Sequence, residues 1–545
     1  MFNLLADPFF PVVTRRGARR WLSFAELADD GDDPPVDFDW PRADFNIAAY
    51  ELAVGVATLA LRPTGASDWL RLWTSAPDPN ALRERVTPFL PAFELDGEGP
   101  RFLQEFGGLV GDPAPIEGLL IDTPGANGQK KNADLLTHRG RYPALGLSAA
   151  AMALYALQQF APAGGAGNRV SMRGGGPMTT LVVPGAPPGE RSALWRVLIA
   201  NLVVDEDNDF DLDDLPKILP WLAPTLTSDG ERVVHERDGD VHPLQWFFGM
   251  PRRIVLQVGS RGACSMTGIE EPLVQSFVQK PWGVNYGEWR HPLTPYRRQR
   301  EADPRYSVKP KSARFGYRDW VSVVVATKEG MIAEPAKAVS AARRDGRRQQ
   351  LRGATAAGAS LRAAGWATNN MEAVAYLLAE QPLHLAESNT AQDDLDKAAI
   401  AFARAADEVA SLLVTALRRA LFSEGAKPAT DRTFFDEARA GFYEATEDPF
   451  HDTLDAMLTD GAPTGESARR AWLATLSSAA EATFARCAPV PIDEPKQAAR
   501  IVSAFKHLRL SLLGYGADGK KLFDPLGLAP PESAKTAKKG AGRGR

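Results

Sequence analysis

Residues 391–421, AQDDLDKAAIAFARAADEVASLLVTALRRAL, carry Leu395, Phe402, Val409, Leu413, Leu417 and Leu421. Steps of seven and four residues return to the same side of a 3.6-residue period, so these six share one helical face. The pattern recurs three times downstream. Phe434, Phe435, Ala438 and Phe442, then Leu454, Met457 and Leu458, make a second stripe. Trp472, Leu473, Leu476 and Phe484 make a third, and Ile501, Val502, Phe505, Leu508 and Leu512 a fourth. Amphipathic helices joined by short polar links bury their apolar faces against one another, which predicts an antiparallel four-helix bundle over residues 385–515. The closing segment, 528–545, ends in PPESAKTAKKGAGRGR and reads as a disordered basic tail.

Upstream the period changes. FFPVVTRRGARRWLSF, residues 9–24, sets two apolar runs around a basic turn containing Gly17, the pattern of a hairpin. FNIAAYELAVGVATLAL (45–61), LGLSAAAMALYALQQF (145–160) and RSALWRVLIANLVV (191–204) have helical spacing. MTTLVV (178–183), RRIVLQV (252–258) and DWVSVVVAT (319–327) read as strands from their β-branched content. The expected fold class is therefore α+β: a large mixed α/β domain, residues 1–375, followed by the bundle.

The chain has 545 residues, 44% hydrophobic and 24% charged, with a formal net charge of -5. That balance excludes a protein coated in phosphate-binding cations but allows a basic stripe on one face. Cys264 and Cys487 are the only cysteines, and the seven histidines form no HExxH motif. Neither a disulfide framework nor a metal site is expected, and no cofactor. There is no run of eighteen apolar residues, and MFNLLADPFFPVV has an aspartate within its apolar run and no basic start. No membrane span and no signal peptide are read, and the cytoplasm is the expected compartment. Phosphate-loop and GxSxG motifs are absent, and GGAGNR (164–169) follows its helix where a dinucleotide fingerprint precedes one. Acidic pairs such as Glu270–Glu271 and Asp393–Asp394 read as solvated faces. No catalytic residue is expected.

Five segments combine loop character with glycines, amides or cations. In NRVSMRGGGP (168–177), Gly174, Gly175 and Gly176 lack Cβ atoms and admit a second backbone, while Arg169 and Arg173 supply phosphate contacts. Such a loop suits a minor groove, where the guanine amino group marks a G·C pair. GQKKNADLLTHRG (128–140) is a long basic loop holding Lys130, Lys131, Asn132, His138 and Arg139. FVQKPW (277–282) sets Lys280 on a stiff segment. Arg290–Arg314 holds eight Lys or Arg against Glu301 and Asp303, and Lys337, Arg343, Arg344, Arg347, Arg348 and Arg352 follow, together enough cations for a duplex backbone. GWATNNME (365–372) carries Asn369, Asn370 and Met371 at a loop tip, side chains of the kind that insert between base steps. Each segment also has a plain reading as a turn, a surface insertion or a solvated charge. A metal-dependent nuclease and a purely structural scaffold stay open as alternatives.

The order of these motifs resembles that of the large subunit of the type I-E CRISPR Cascade complex, the CasA family. Phe2-Asn3-Leu4-Leu5 with Asp7-Pro8 and Pro11-Val12 is similar to its N-terminal signature, RGGGPMTTLV (173–182) to its glycine loop, FGMPRR (248–253) and WRHPLTPYRR (289–298) to its central segments, and GWATNNME to its wedge. The resemblance runs to about residue 515 and implies a non-catalytic subunit. Base pairing with a guide RNA then reads the target, and the protein reads the short flanking motif, the PAM, through the minor groove of double-stranded DNA. It implies that Gly174–Gly176 face that groove, that Lys280 reaches PAM base edges, and that Asn370 and Met371 split the first base pair. It also implies that the loop from Lys130 to Arg139 reaches the PAM and the guide's 5′ end. The bundle would dock on other Cascade subunits and help hold the displaced strand, and a separate helicase–nuclease would cut. Two departures stand out: RGACSMTG (261–268) keeps one cysteine where some relatives hold a cysteine-based metal site, and Met371 stands where relatives often carry glutamine.

Overall fold

Seventeen of the nineteen residues of helix α1, Ala43–Leu61, are buried. A helix apolar on every side belongs inside a core or a membrane. α1 is long and apolar enough to span a bilayer, but 94% of its apolar window is buried within the protein, so it is a core helix. In the computed structural model, which describes residues 1–130, 138–165, 167–328, 330–353, 358–369, 372–422, 432–459 and 465–530, the chain forms two units. The first comprises Met1–Phe315 and Ala326–Leu383, the second Gly316–Val325 and the chain from His384 onward.

In the first unit, strands β1 (Phe10–Thr14), β2 (Arg19–Leu22) and β3 (Pro35–Phe38) form an antiparallel sheet in the order β2-β1-β3. Helix α2, Leu147–Phe160, is buried along its whole length and packs on α1. The strand read at 178–183 is β4, Thr179–Pro184. The helix after it runs only over Leu194–Ala200, because the Asn201 side chain turns back to bond both the N–H and the C=O of Val182. β5 (Arg253–Ala263) and β6 (Glu270–Lys280) are a long hairpin. Glu271 is buried at 9% exposure, accepting hydrogen bonds from the Ser148 backbone and hydroxyl, so it does not belong to a solvated face.

DWVSVVVAT is helical, not extended. Its core is helix α3, Tyr317–Val324, in the second unit. Tyr317, Trp320, Val323 and Val324 are its buried residues, a three- and four-residue spacing, and Asp319 accepts from the Gly316 N–H at the helix start. That periodicity outweighs the β-branched composition. β7 (Ala359–Asn369) and β8 (Glu372–Pro382) then form a hairpin that joins β4 in the order β8-β7-β4. The alanine-rich sequence of β7 gave no strand signal.

The second unit is built on helix α4, Asn389–Leu421, capped by the Ser388 hydroxyl accepting from the Ala391 N–H. Packed on α4 are α5 (Arg432–Ala456), α6 (Glu466–Cys487), α7 (Pro495–Leu512) and α8 (Gly516–Leu526). The four expected helices are α4–α7. The fifth, α8, was hidden because Gly516 and Pro525, its first and next-to-last residues, read as helix breakers. The first unit ends at Leu383, eight residues beyond the expected position 375. Leu528 packs into the helical unit at 5% exposure, and the tail beyond Pro530 lies outside the described residues.

Candidate nucleic-acid interface

The three glycines answer to three different constraints. Gly174 and Gly176 adopt left-handed φ values of +84° and +65°. Gly175 has an ordinary φ, but a Cβ on it would lie 3.2 Å from the Ala163 nitrogen and 3.3 Å from the Pro162 Cα. A Cβ on Gly176 would meet the Trp366 carbonyl oxygen at 3.2 Å. The turn is tied by the Gly174 N–H donating to Ser171 O at 2.9 Å and by the Ser171 hydroxyl donating to Gly174 O at 2.6 Å. Gly174 and Gly175 are half-buried and Gly176 is buried beneath β7, so only the first two open to solvent.

The loop therefore adjoins the end of β7. Asn369, the last residue of that strand, is exposed and pairs with Glu372 across the turn. Asn370 and Met371, the expected wedge, lie outside the described residues. At the start of β8, a Cβ on Gly128 would lie 3.9 Å from the Glu372 carboxylate. Gly128 belongs to the short helix Ala126–Lys130, and Arg139 donates to Gln129 O at 2.8 Å. Lys130, His138 and Arg139 are exposed; Lys131 and Asn132 lie outside the described residues. The glycine loop, the facing ends of β7 and β8 and the two ends of the basic loop thus form one continuous chain of neighbours.

Lys280 joins them less directly. It ends β6, half-buried, with its Cε and Nζ against Gly111. The adjacent Gln279 donates to the Asn168 side chain at 2.6 Å, and the Trp282 N–H to Gly167 O at 2.9 Å. The 161–169 loop that they hold is the one on which Gly175 rests. Lys280 is one loop away from the glycines, not in contact with them.

One expected contact is overturned, and other expected cations hold partners within the protein. The Arg173 side chain is 1% exposed and ion-paired to Glu51, so it cannot touch a phosphate. Arg169 is fastened to Ser228 through its Nε and Nη2 and lies over the Trp282 ring at 5.1 Å. Three arginines of the basic stretch share one carboxylate from outside its own sequence: Glu334 pairs with Arg290 at 3.4 Å, Arg298 at 2.9 Å and Arg305 at 2.9 Å. In the second cluster Arg343 and Arg348 are buried, Arg347 lies over the Trp69 ring at 4.7 Å and Lys337 over Trp246 at 4.1 Å. Arg297, Lys309 and Lys311 stay exposed. Glu51 was missed, although a lone carboxylate inside the apolar run 45–61 signals a buried partner. Among the described residues, no group of three or more His, Cys, Asp or Glu is arranged to hold a metal ion.

The family model for the CRISPR-associated protein Cse1 matches residues 3–483. The chain belongs to the Cse1 family. Cse1 is the CasA large subunit of type I-E Cascade that the motifs resemble. Solved Cse1 structures share the fold: CasA (Cse1) of Thermus thermophilus, 17% identical, covers 94% of this chain and 100% of its own with a TM-score of 0.66. Cse1 of Acidimicrobium ferrooxidans, 19% identical, covers 97% and 99% with a TM-score of 0.65. A chain of a CRISPR RNA-guided surveillance complex in its pre-nicking state, 14% identical, covers 94% and 99% with a TM-score of 0.57.

Proposed function

We propose that this Cse1-family chain is the PAM-reading subunit of a cytoplasmic type I-E surveillance complex, acting without catalysis of its own. Gly174 and Gly175 approach the minor groove of double-stranded DNA, and the β7–β8 tip with Asn369, Asn370 and Met371 opens the first base pair. Lys280 contacts the same flank from the next loop. Lys130, Lys131, Asn132, His138 and Arg139 lie near the PAM and the guide RNA. Other Cascade subunits hold the chain in register, and the opened complex recruits the helicase–nuclease. The observation that carries the reading is the adjacency of the side-chain-free turn and the end of β7, with Gly176 packed on Trp366 and Thr368. A backbone that approaches base edges reads a groove whose G·C pairs differ by one amino group.

The test is Gly175→Asp in the complex reconstituted with guide RNA. The carboxylate adds a repelled charge and a Cβ where Pro162 and Ala163 lie close. Binding to PAM-bearing duplex is expected to fall by about a hundredfold, on the order of 3 kcal/mol, while a target with its flank already opened binds within about twofold. Equal losses on both substrates, or none, overturn the reading.

A further inference from the structure

The residue immediately before the three glycines is fixed in the interior from several sides. Arg173 Nη1 and Nη2 donate to Glu51 Oε1 and Oε2 at 2.8 and 2.9 Å, a bidentate pair with side-chain exposures of 1% and 0%. Nη1 also donates to Thr294 Oγ1 at 3.1 Å and Thr179 Oγ1 at 3.3 Å, and Nη2 to Gln159 O at 3.0 Å. Thr179 in turn donates to Glu51 Oε1 at 2.5 Å. The Phe160 ring lies 5.1 Å from the guanidinium. On the backbone side, the Ser307 hydroxyl donates to Arg173 O at 2.6 Å. The neighbouring titratable groups stay neutral: burial and Glu51 push the Tyr155 hydroxyl up, and burial and Arg173 push the His291 imidazole down.

This network joins four parts of the first unit at one residue: α1 through Glu51, the end of α2 through Gln159, β4 through Thr179, and the 290–310 segment through Thr294 and Ser307. A buried ion pair is a weak source of stability, since desolvation offsets most of its attraction, but its fork geometry is exacting. We infer that the buried Glu51–Arg173 pair positions the PAM-reading loop, with Glu51 as its anchor on a core helix. Fixing Arg173 at both guanidinium and carbonyl sets where the chain enters the left-handed Gly174. A shift there moves both solvent-open glycines together. The inference rests on the proposed reading of the glycine loop.

The test replaces both charges at once, Glu51→Met with Arg173→Met, because apolar side chains of similar length refill the space without leaving an unpaired charge. In the reconstituted complex, assembly and binding to a pre-opened target are expected to hold within about twofold, while the affinity ratio between PAM-bearing and flank-mutated duplex falls by about tenfold. A merely structural role would lower both substrates alike and leave that ratio unchanged. If the double variant does not assemble, Ser307→Ala decides instead: it keeps the ion pair, releases the Arg173 carbonyl, and should lower the same ratio by a few-fold. An unchanged ratio in an assembled variant overturns the inference. Gly175→Asp, run in parallel, separates the two ideas. If it abolishes PAM discrimination while the double variant and Ser307→Ala do not, the anchor fails and the reading stands. If Gly175→Asp also leaves discrimination intact, the reading itself fails.

Discussion

Single residues here often differ from their sequence appearance because partners come from far along the chain. Glu271 is one such residue. Its Oε2 accepts from Ser148, its Oε1 is buried without a hydrogen bond among the described residues, and Gly146 is a glycine because any Cβ would strike this carboxylate. Burial pushes its pKa up, with the Ser148 hydrogen bonds opposing. A carboxylate whose folded pKa exceeds its unfolded value stabilises the fold fully below the unfolded pKa, and that contribution is lost as pH rises through the folded one. Glu271→Gln is therefore expected to raise the melting temperature at pH 7. The gain should shrink towards zero as pH falls to about 4, the ordinary range of a glutamate. A melting profile parallel to the parent's across that range would contradict the assignment. Arg173 is the opposite case, a cation that reads as a phosphate contact and is instead an internal support.

At the scale of elements, legibility followed periodicity. The helices α1, α2 and α4–α7 were readable because each buries a stripe or a whole cylinder that its own residues spell out. The hairpin β7–β8 was not, since Ala363, Ala364, Gly365 and Ala367 earn their place by fit against neighbours and not by strand preference. Gly365, for instance, lies where a Cβ would come within 2.8 Å of Pro177 O. The candidate site was legible as motifs but not as a surface: which glycines open to solvent, and that Glu334 is shared by three arginines, depend on contacts no local window contains. Within the helical unit, the α4–α6 contact rests on Trp472, fully buried, whose Nε1 donates to Phe402 O at 3.0 Å. Trp472→Phe removes that bond and part of the ring, at about 1–3 kcal/mol. Amide exchange in α4 and α6 should accelerate correspondingly while that in α1 keeps the parent rate. A uniform change across the chain would show that the two units do not open independently.

The whole molecule carries a net charge of -5, and several cations of its two basic clusters are engaged within the protein. Of the two clusters that suggested a duplex-binding face, Glu334 takes Arg290, Arg298 and Arg305, while Arg343 and Arg348 are buried. Arg297, Lys309 and Lys311 remain exposed, and Val308, beside Lys309, accepts the N–H of Met178, just past the glycine loop. Each phosphate neutralised steepens the fall of log affinity with log salt by about 0.9 on duplex DNA. That slope counts the local phosphate contacts and is set by exposed cations, not by the net charge of the chain. Replacing Arg297, Lys309 and Lys311 together by glutamine should flatten the slope of the reconstituted complex on PAM-bearing duplex by about 2 to 3. PAM discrimination should stay within about twofold, because phosphate contacts position the protein without reading sequence. An unchanged slope would move the phosphate contacts away from this face, and a collapse of discrimination at normal assembly would mean that these cations read bases.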